Sequence, residues 1–576
     1  MTAGAQADRS AEHASIPSWK LDSGQLGDLE LILSGALAPL RGFMTAADLA
    51  SVQASESLAD GTPWPIPVAL EVPAGAFSAE ATQLMLADPE GTPLAVLEIT
   101  ERSQVQPDPA GLIRLAGPVT ANRTPEHGPF RRLMISPELA RTELGDGPVL
   151  AFATRAPLGS RRIGQLRHLA GQLKARLLLL PLVAGPTEVV RQPEALVRVV
   201  LAAAASLPPG TLVVPVPLAP RDGQIAPTGA GAGTGGAAET GAGTGRAAET
   251  GAGNGARART GSPAGSGASR EIAALAIVAA AYGATHLMAD GWPDRATGAS
   301  ATEASGGYDA GGAGSASGAA GGLPGAPIPV LPAGDWAYDT RAEVWRPLAL
   351  IETGTEFADL APDQLADLLD TGGELPSWFA PPPVAAELRR ARPPRSQRGF
   401  VLFLTGLSGS GKSTIARDLR DLLTERGDRQ VSLLDGDIVR SLLSAGLTFS
   451  RADRDLNIAR IGYVAAEIAR HGGIAICAPV APYAAARDRV RRMVSEVGDF
   501  LLIHVATPIE VCEARDRKGL YAQARAGLIG QFTGISDPYE EPVDADLVLD
   551  TAVVSREQCT DAIMALLTSG GWLSSS

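Results

Sequence analysis

The feature that most constrains this chain is a glycine-rich loop placed between a short apolar segment and a helical pattern. Residues 400–404 read FVLFL, a continuous apolar run whose length predicts a buried parallel strand. Residues 406–414 follow as GLSGSGKST, which satisfies the spacing G-x-x-x-x-G-K-[ST], and the next residues, IARDLRDLLTERG, predict a helix. Strand, loop and helix in this order predict a phosphate-binding loop, because backbone N–H groups and the helix N-terminus all face the anion.

The side chains of this phosphate loop (residues 406–414), and the acidic turn after it, predict phosphoryl-transfer chemistry. Lys412 can reach the β- and γ-phosphates of a nucleotide, and the Ser413 hydroxyl can hold Mg²⁺. The next strand ends at Asp435 and Asp437, at the sheet edge where parallel sheets bind ligands. Carboxylates there can position Mg²⁺ and accept a proton, so Lys412, Asp435 and Asp437 are the predicted catalytic residues. The predicted metal ligands are Ser413 and Asp435, and the sequence does not say which carboxylate handles the proton.

A cluster of arginines comes next and reverses the local sign of charge. The whole chain has a net charge of −14, from 49 basic and 63 acidic residues. Arg454, Asn457 and Arg460 recur every three residues, so they share one face of a predicted helix. Because a guanidinium binds phosphate or sulfate through two donors, this face predicts a second anionic ligand beside the phosphate loop.

Length and composition predict several domains joined by glycine- and proline-rich segments. The chain has 576 residues, which corresponds to about three or four domains. Gly- and Ala-rich runs at residues 226–270 and 297–324 bury too little apolar surface to offset their ordering entropy, so they are predicted loop insertions. Residues 380–397 place a short helix between proline clusters, which predicts a semi-rigid tether.

The same arithmetic argues against several classes of protein. A strongly acidic chain repels nucleic acid and anionic lipid surfaces, so neither is an expected partner. The three cysteines, Cys477, Cys512 and Cys559, fit no zinc spacing and are odd in number, so we expect no disulfide scaffold or structural metal. No apolar run reaches the ~20 residues of a membrane span, and the N-terminus lacks a secretory pattern. We therefore expect a soluble protein of the cytoplasm.

Residues 399–551 resemble adenylylsulfate kinase (APS kinase) over many ordered motifs. The matching segments are GLSGSGKST, LDGD, FSRADRDLNIARIGYVA, RDRKGLYAQARAG, FTGISDPYEEP and LVLDT. The resemblance implies an α/β P-loop kinase domain with a parallel sheet covered by helices on both faces. It also implies transfer of the ATP γ-phosphoryl group to the 3′-hydroxyl of adenylyl sulfate, giving 3′-phosphoadenylyl sulfate, with Mg²⁺ as cofactor and ATP as co-substrate.

The resemblance further implies which residues contact each nucleotide, with Phe449 and Phe532 clamping the acceptor adenine between their rings. Residues implied to bind ATP are Gly406, Ser408, Gly409, Ser410, Gly411, Lys412, Ser413, Thr414 and Arg515. Residues implied to bind adenylyl sulfate are Arg440, Phe449, Arg454, Asn457, Arg460, Lys518, Gly519, Leu520 and Phe532.

Two positions depart from the APS kinase pattern. Ile438 follows the Asp-Gly-Asp turn where the family usually has Asn, and Ala481 replaces a family Ser to which a phosphorylated intermediate has been assigned. Direct in-line transfer requires no covalent serine, so we expect the kinase to be active.

The first two-thirds of the chain, about residues 15–390, resembles ATP sulfurylase (sulfate adenylyltransferase). The match is carried by KLDSGQLGDLELILSGALAPLRGFM at residues 20–44, then by WPIPV, FATR, GATH and LPSWF in the family's order. It implies a PUA-like β-rich domain and a Rossmann-like nucleotidyltransferase domain. The predicted division is therefore a disordered N-terminus at residues 1–15, domains at 16–145 and 146–390, a linker at 391–398 and the kinase at 399–576.

The active loop of the sulfurylase family, Gln-x-Arg-Asn-Pro-x-His-x-x-His, is only partly present. Arg155 and Pro157 match, but Gly159 and Arg162 stand where the family has its two histidines, and the family's Gly-Arg-Asp-His-Ala-Gly turn has no counterpart. Each lost charge-stabilising group typically costs on the order of 10²–10³ in rate. We therefore expect an inactive sulfurylase-like domain that binds nucleotide, mediates homo-oligomerisation or recruits an active sulfurylase.

Three alternatives remain open at this stage. The chain could be a bifunctional sulfate adenylyltransferase and APS kinase, a different small-molecule kinase, or a non-catalytic regulatory or scaffold protein of sulfate assimilation. The paired Phe449 and Phe532 favour a purine-bearing acceptor over a sugar. The complete phosphate loop and the Asp-Gly-Asp turn argue against a purely non-catalytic carboxy-terminal part.

Overall fold

The computed structural model describes the chain in several stretches that together form three units. These are residues 16–105, 111–122, 129–185, 189–220, 265–289, 323, 325–351, 357–358, 360–448, 450–516 and 518–574. The predicted disordered N-terminus and nearly all of both predicted insertions lie outside the described residues. The predicted end of the first insertion, at residue 270, lies too far along the chain, because a helix already begins at Gly265.

The first unit is β-rich, as predicted. Its sheet is centred on the long strand β7, which pairs antiparallel with β2, β3, β5 and β6, while β1 pairs parallel with β4 at one edge. Its strands are β1 (Ser18–Lys20), β2 (Gly42–Phe43), β3 (Leu70–Pro73), β4 (Gln83–Ala87), β5 (Pro93–Glu98), β6 (Glu101–Gln104) and β7 (Leu112–Ala121). Its helices are α1 (Ser23–Leu33), α2 (Ala46–Ser55) and α3 (Pro137–Leu144).

The middle unit has the Rossmann-like sheet that the sequence predicts. All pairs in this sheet are parallel, and the strand order 10-9-8-11-12 places its first strand at the centre. The strands are β8 (Val149–Thr154), β9 (Arg176–Pro181), β10 (Leu212–Val213), β11 (His286–Ala289) and β12 (Val330–Pro332). The helices are α4 (Ser160–Leu173), α5 (Pro193–Ala204), α6 (Gly265–Ala281), α7 (Pro362–Thr371) and α8 (Pro382–Ala391). A small antiparallel sheet is formed by β13 (Trp336–Asp339), β14 (Val344–Pro347) and β15 (Phe357–Ala358), with a 3₁₀ turn at Leu348–Leu350.

The first two units share one hydrophobic core. Leu29 and Leu70 of the first unit belong to the same buried cluster as Leu178 and Val214 of the middle sheet. A Cβ added at Gly27 of α1 would lie 2.2 Å from the carbonyl oxygen of Pro217, so the two backbones are in direct contact. The predicted boundary at residue 145 therefore separates two folds that share this core, while the middle unit also has a buried cluster of its own.

The carboxy-terminal unit is a five-stranded parallel sheet with helices on both faces. Its strand order is 17-18-16-19-20, and separate buried clusters lie on the two faces, which confirms the predicted α/β architecture. The strands are β16 (Phe400–Thr405), β17 (Val431–Asp435), β18 (Ile474–Ala478), β19 (Asp499–Val505) and β20 (Leu547–Leu549). The helices are α9 (Lys412–Arg426), α10 (Gly436–Leu442), α11 (Arg451–Arg470), α12 (Ala484–Ser495), α13 (Ile509–Arg515), α14 (Leu520–Arg525) and α15 (Arg556–Ser569).

The segment predicted to be a semi-rigid tether is instead packed into the structure. Val384 and Leu388 of α8 are fully buried in the core of the middle unit. The chain then forms a 3₁₀ turn at Arg395–Gln397 and enters β16 almost immediately. The prolines flanking this segment are compatible with a packed helix start as well as with a tether, which is why composition alone gave the wrong answer.

An ion-pair network joins the middle unit, this linking segment and the carboxy-terminal unit. Asp370 accepts hydrogen bonds from Arg392 at 2.6 and 2.9 Å and from Arg398 at 2.5 Å. Arg398 also reaches Asp499, the first residue of β19, at 3.2 Å. Asp499 accepts two further bonds, from Arg191 at 2.5 Å and from the Trp572 indole at 2.8 Å. The buried Asp370 and the half-buried Asp499 therefore connect the units at the amino-terminal edge of the carboxy-terminal sheet.

Removing one of these carboxylates should destabilise the whole protein. Burial alone would raise the pKa of Asp370, but hydrogen bonds from Arg392 and Arg398 outweigh it and lower the pKa to about 2. Asp370→Asn would leave buried guanidinium groups without their counter-charge, at a cost of about 3 kcal/mol. We expect this loss in urea unfolding at pH 7, followed by tryptophan fluorescence.

The matched control is Asp428→Asn, which removes a surface carboxylate paired with Arg426 at 3.1 Å and should cost less than about 0.5 kcal/mol. The pKa of Asp370 is lower in the folded than in the unfolded protein, so its contribution is present above about pH 4 and is lost as the pH falls towards 2. The difference between wild type and Asp370→Asn should shrink over that interval. Equal losses for the two variants at pH 7 would contradict the assignment.

Candidate functional site

The phosphate loop turns sharply between β16 and α9. Gly406, Gly409 and Gly411 have φ angles of +145°, +80° and +106°, which only glycine adopts without strain. A Cβ at Gly406 would lie 2.4 Å from the Val505 carbonyl oxygen, so neighbouring backbone also excludes any side chain there. The loop ends at Gly411, and Lys412 is the first residue of α9. The predicted strand, loop and helix are therefore all present.

The predicted ATP ligands are held by contacts across the end of the sheet. The Lys412 ammonium donates to the Leu407 carbonyl at 2.7 Å and lies 3.4 Å from the Ser410 hydroxyl. The Ser410 carbonyl accepts from the hydroxyls of Thr507 and Thr551 at 3.1 and 2.8 Å. Ser413 and Thr414 begin α9 and are half-buried. Ser408 is anchored from the other side, because its carbonyl accepts the Tyr521 hydroxyl at 2.8 Å.

Arg515, which the resemblance implies to bind ATP, lies beside the phosphate loop. Its guanidinium donates to the Thr551 hydroxyl at 2.7 Å and to the Thr551 carbonyl at 2.8 Å, and it lies 3.5 Å from the Gly409 carbonyl. Thr551 follows β20 and Arg515 ends α13, so the two meet where neighbouring parallel strands end. This position is suitable for packing against the base of a nucleotide held by the loop.

Asp435 occupies the sheet edge expected for a magnesium ligand. It is the last residue of β17 and is buried, and its Oδ2 atom lies 3.7 Å from Arg417, beyond hydrogen-bonding distance. Carboxylate and hydroxyl oxygens are the ligands that Mg²⁺ prefers, usually one or two of them beside substrate phosphates. Asp435 and Ser413 therefore fit that ion, and the described residues contain no cluster of three or more metal-ligating side chains. Asp437 belongs to α10, and its side chain lies outside the described part.

The arginines predicted to bind the acceptor lie along α10 and α11. Arg440 donates to the Thr448 carbonyl at 3.2 Å, and Arg460 donates to the Leu443 carbonyl at 2.7 Å. Asn457 is buried, and its side-chain oxygen has no hydrogen-bond partner among the described residues. A buried amide oxygen in this state favours a ligand donor at that point.

Arg454 is buried and contacts the loop that carries Phe532. Its guanidinium donates to the Gln531 carbonyl at 2.6 Å, to the Thr533 hydroxyl at 2.9 Å and to Asp537 at 2.6 Å. The Phe532 ring packs edge-on against Tyr521, with centroids 4.9 Å apart. The structure therefore connects Arg454, Phe532 and the phosphate loop through consecutive contacts.

The remaining predicted residues lie close by or outside the described part. The short helix α14 begins at Leu520 and is preceded by its cap Gly519, at φ +66°, and by the exposed Lys518. Phe449, the proposed partner of Phe532, lies outside the described residues, so the aromatic clamp stays a prediction.

The two family departures differ in their surroundings. Ile438 is 54% exposed, so its side chain contributes little to packing. Ala481 is buried and has φ +44°, a left-handed conformation that is strained for a residue with a Cβ. Its carbonyl is fixed by Arg487 at 2.9 Å and by Thr405 at 3.3 Å. Neighbouring structure therefore holds the turn after β18 although no serine is present.

Several residues of this site were not assigned from the sequence. Thr507 and Thr551 hold the phosphate loop, Tyr521 anchors Ser408, and Tyr483 and Asp537 bond each other at 2.7 Å. Their motifs were recognised, but hydroxyl groups after strands are too common to be singled out without knowing which strands are neighbours. The one sequence signal that could have indicated the ion pair of Asp537 with Arg454 is an acidic residue in a glycine-containing turn combined with an arginine on a helix.

A cleft of about 680 Å³ lies next to the phosphate loop, between the end of β19 and the loop at residues 534–541. Leu407 and Asp537 are among its lining residues, and none of the predicted site residues lines it. His504 stacks on Tyr539 at one side, and burial lowers the pKa of this histidine. Asp537 therefore stands between this cleft and the arginine-lined helix.

In the middle unit, residues of the loop that resembles the sulfurylase active loop form hydrogen bonds to other parts of the protein. Arg155 donates to the carbonyls of Ala184 and Leu218 at 2.6 and 2.9 Å, and burial lowers its pKa. The N–H of Ser160, at the start of α4, donates to the Phe379 carbonyl at 2.7 Å. Arg162 donates to Gln165 at 2.7 Å and lies over the Phe152 ring.

The sequence and structure are similar to several known proteins. A family profile described as Adenylylsulphate kinase matches residues 398–550, and one described as PUA-like domain matches residues 1–109. A sulfate adenylyltransferase of Phaeosphaeria nodorum is 33% identical over 598 residues, covering 98% of this chain and 95% of that protein. One from Mycosarcoma maydis is 32% identical, covering 96% and 94%. A solved hexameric APS kinase from Thiobacillus denitrificans matches with a TM-score of 0.69 at 30% identity, covering 98% of this chain and 96% of that one.

The chain belongs to the sulfate adenylyltransferase family. Its carboxy-terminal unit is an APS kinase domain, and a PUA-like domain stands at its amino-terminal end, so both predicted resemblances are confirmed. The protein is a kinase that uses ATP, with a role in sulfate assimilation. Within the described ranges, no helix has the length and apolar character needed to cross a membrane.

The shape of the phosphate loop predicts a sharp effect of one added methyl group. At Gly409 a Cβ would lie 2.9 Å from the Cys512 carbonyl oxygen, so Gly409→Ala must displace the loop. We expect kcat/KM for ATP to fall by about tenfold or more, because the backbone N–H groups no longer face the phosphates together. The measurement is steady-state kinetics with ATP varied.

Gly427→Ala is the control, because Gly427 has a similar φ of +72° but no atom within 4 Å of the added Cβ. That variant should lose about 1 kcal/mol of stability from backbone strain while keeping its KM for ATP. An unchanged kcat/KM in Gly409→Ala would show that the loop tolerates the displacement.

Proposed function

We propose that this protein transfers the γ-phosphoryl group of ATP to the 3′-hydroxyl of adenylyl sulfate. The observation that supports it best is a chain of contacts from donor site to acceptor site. The Ser408 carbonyl accepts the Tyr521 hydroxyl, the Tyr521 ring packs on Phe532, and Arg454 bonds both neighbours of Phe532. A triphosphate on the loop and an anionic nucleotide on α11 would therefore lie over the same edge of one sheet.

Each predicted residue has a role in this reaction. Lys412 and the N–H groups of residues 406–414 would neutralise charge on the transferring phosphoryl group. Arg440, Arg454, Asn457 and Arg460 would hold the phosphosulfate and ribose of the acceptor, and Phe449 and Phe532 its adenine. Lys518, Gly519 and Leu520 would close over the acceptor, while Arg515 would pack on the ATP base. Asp435 or Asp437 would take the proton that the attacking hydroxyl loses.

Ser413 and Asp435 are the residues that would hold Mg²⁺. When bound, this ion supplies positive charge to the β- and γ-phosphate oxygens. The buried position of the Asp435 carboxylate at the end of β17 supports this assignment. Ala481 cannot form a phosphorylated intermediate, so transfer in this chain would be direct.

We further propose that the sulfurylase-like unit does not catalyse sulfate adenylylation. Gly159 and Arg162 replace the histidines of the family loop, and Arg155 is bonded to backbone carbonyls within the unit. Full-length similarity to sulfate adenylyltransferases supports the bifunctional alternative equally, so an assay must decide between them. The ion pairs through Asp370 and Asp499 support a structural role for this unit in either case.

Assembly and location belong to the same proposal. The Thiobacillus denitrificans relative is described as hexameric, which supports a homo-oligomer for this chain. If the sulfurylase-like unit is inactive, association with an active sulfurylase would supply adenylyl sulfate, the acceptor of the kinase reaction. The cytoplasm stays the location predicted from the sequence.

The kinase proposal predicts 3′-phosphoadenylyl sulfate from ATP and adenylyl sulfate in the presence of Mg²⁺. Lys412→Ala should lower kcat by about 10² or more while the fold is kept, because its ammonium would act on transition-state charge. Product formation is followed by anion-exchange chromatography, with gluconate as an alternative acceptor. A wild-type protein that phosphorylates only the sugar acid would contradict the proposal.

The proposal for the sulfurylase-like unit has its own test. With ATP, sulfate and Mg²⁺, the full chain should release pyrophosphate at the rate of a sulfate-free blank, because both histidine positions are changed. Arg162→His and Gly159→His in one variant would examine whether the loop alone is responsible. Sulfate-dependent pyrophosphate release by the wild type would establish the bifunctional enzyme instead.

A further inference from the structure

Two buried side chains from separate elements meet at one carboxylate beside Phe532. Asp537 Oδ2 accepts from the Arg454 guanidinium at 2.6 Å and from the Tyr483 hydroxyl at 2.7 Å. Arg454 and Tyr483 are 7% and 2% exposed, so both donors are buried, whereas Asp537 is half-buried and lines the neighbouring cleft. Burial, followed by the bond to Asp537, raises the pKa of Tyr483 to about 12, so this hydroxyl stays a donor. Arg451 stacks over the Tyr483 ring at 4.4 Å and encloses the group further.

The loop held by this carboxylate is closed by its own backbone. The Asp537 N–H donates to the Phe532 carbonyl at 3.1 Å, and the Gly534 N–H donates to the Asp537 carbonyl at 2.8 Å. Gly534 has φ +91°, and a Cβ there would lie 3.0 Å from Ile509 and 3.1 Å from Leu407. Backbone hydrogen bonds therefore close the loop at residues 532–537 on itself, and its position depends on what the loop contacts.

Arg454 grips this loop on both sides of Phe532. It donates to the carbonyl of Gln531 and to the hydroxyl of Thr533, the two chain neighbours of that phenyl ring. Together with the Asp537 bond, three of the five N–H donors of the guanidinium are engaged by the loop. Asp537 supplies the only charge among these three acceptors, so it determines how firmly the guanidinium and the loop are joined.

We propose that Asp537 is a positioning residue for the acceptor nucleotide. Its carboxylate joins Arg454 and Tyr483 to the loop at residues 532–537 and thereby fixes Phe532 at the adenine position. This rests on the proposed function, because it presumes a purine-bearing acceptor next to Phe532. The opposite role would be competition, in which Asp537 occupies Arg454 and must be displaced by the anionic acceptor. The two roles predict changes of opposite sign when the carboxylate is removed.

The test is Asp537→Asn, which keeps the shape and removes the charge. Positioning predicts that KM for adenylyl sulfate rises about tenfold while KM for ATP stays within about twofold, because only the acceptor side loses its fixed ring. Competition predicts that KM for adenylyl sulfate falls. A fall or no change would overturn the proposal, and so would an equal rise for both substrates, which would show general damage.

Two further variants keep the test informative. Asp544→Asn is the matched control, because Asp544 lies seven positions further along the chain and pairs with Arg491 at 2.7 Å on the exposed surface. It should leave both KM values unchanged. If Asp537→Asn does not fold, Tyr483→Phe removes one hydroxyl from the same carboxylate, and KM for adenylyl sulfate should rise about threefold. No rise in that variant would equally overturn the proposal.

Hydrogen exchange separates failure of this inference from failure of the proposed function. In the ligand-free protein, Asp537→Asn should speed exchange of the amides at residues 532–537 by about tenfold or more, and Asp544→Asn should not. A wild type without adenylyl sulfate kinase activity would contradict the proposed function, yet faster exchange would still support the positioning contact. Unchanged exchange in Asp537→Asn would contradict the positioning contact, whatever the kinase activity.

Discussion

The hydrogen bond from the Tyr521 hydroxyl to the Ser408 carbonyl is the contact on which the kinase site depends. It joins the loop that would hold ATP to the helix that leads to Phe532, and no other bond described in the site ties these two parts so directly. Burial raises the pKa of Tyr521, so its hydroxyl remains protonated and available as a donor. The phosphate loop and Phe532 are in this way connected, and under the proposed function this connection would hold donor and acceptor at the fixed separation that in-line phosphoryl transfer requires.

The fold could be predicted from the sequence where the signal is local. Apolar strands, the glycine loop and helical periodicity lie within about thirty residues of each other, so the kinase sheet and its phosphate loop were correctly anticipated. The prediction of a tether for the linking segment was wrong because the packing of that segment depends on distant contacts. Its packing depends on pairs such as Arg398 with Asp370 and Asp499, which are 28 and 101 residues apart, and composition carries no information on such contacts.

The candidate site shows the same division between local and distant information. The resemblance named Arg454 and Phe532, and the structure brings them together, but through Gln531, Thr533 and Asp537, which no spacing rule connects to Arg454. A helix face of arginines predicts only that an anion can bind there. Whether a given guanidinium is already engaged by protein depends on a loop that arrives more than seventy residues later, so its role cannot be derived from periodicity.

In the sulfurylase-like unit, the loop that resembles a catalytic loop and the junction to the kinase unit lie in different places. The loop with Gly159 and Arg162 follows β8, at the carboxyl end of the middle sheet, and its helix start is bonded to the Phe379 carbonyl. The junction to the kinase instead uses Arg191, Asp370 and the segment after α8. Replacing histidines in the loop would remove charge stabilisation for a reaction but would leave the two carboxylates of the junction and the shared core intact. The contacts between the sulfurylase-like unit and the kinase sheet therefore do not depend on whether this loop catalyses sulfate adenylylation.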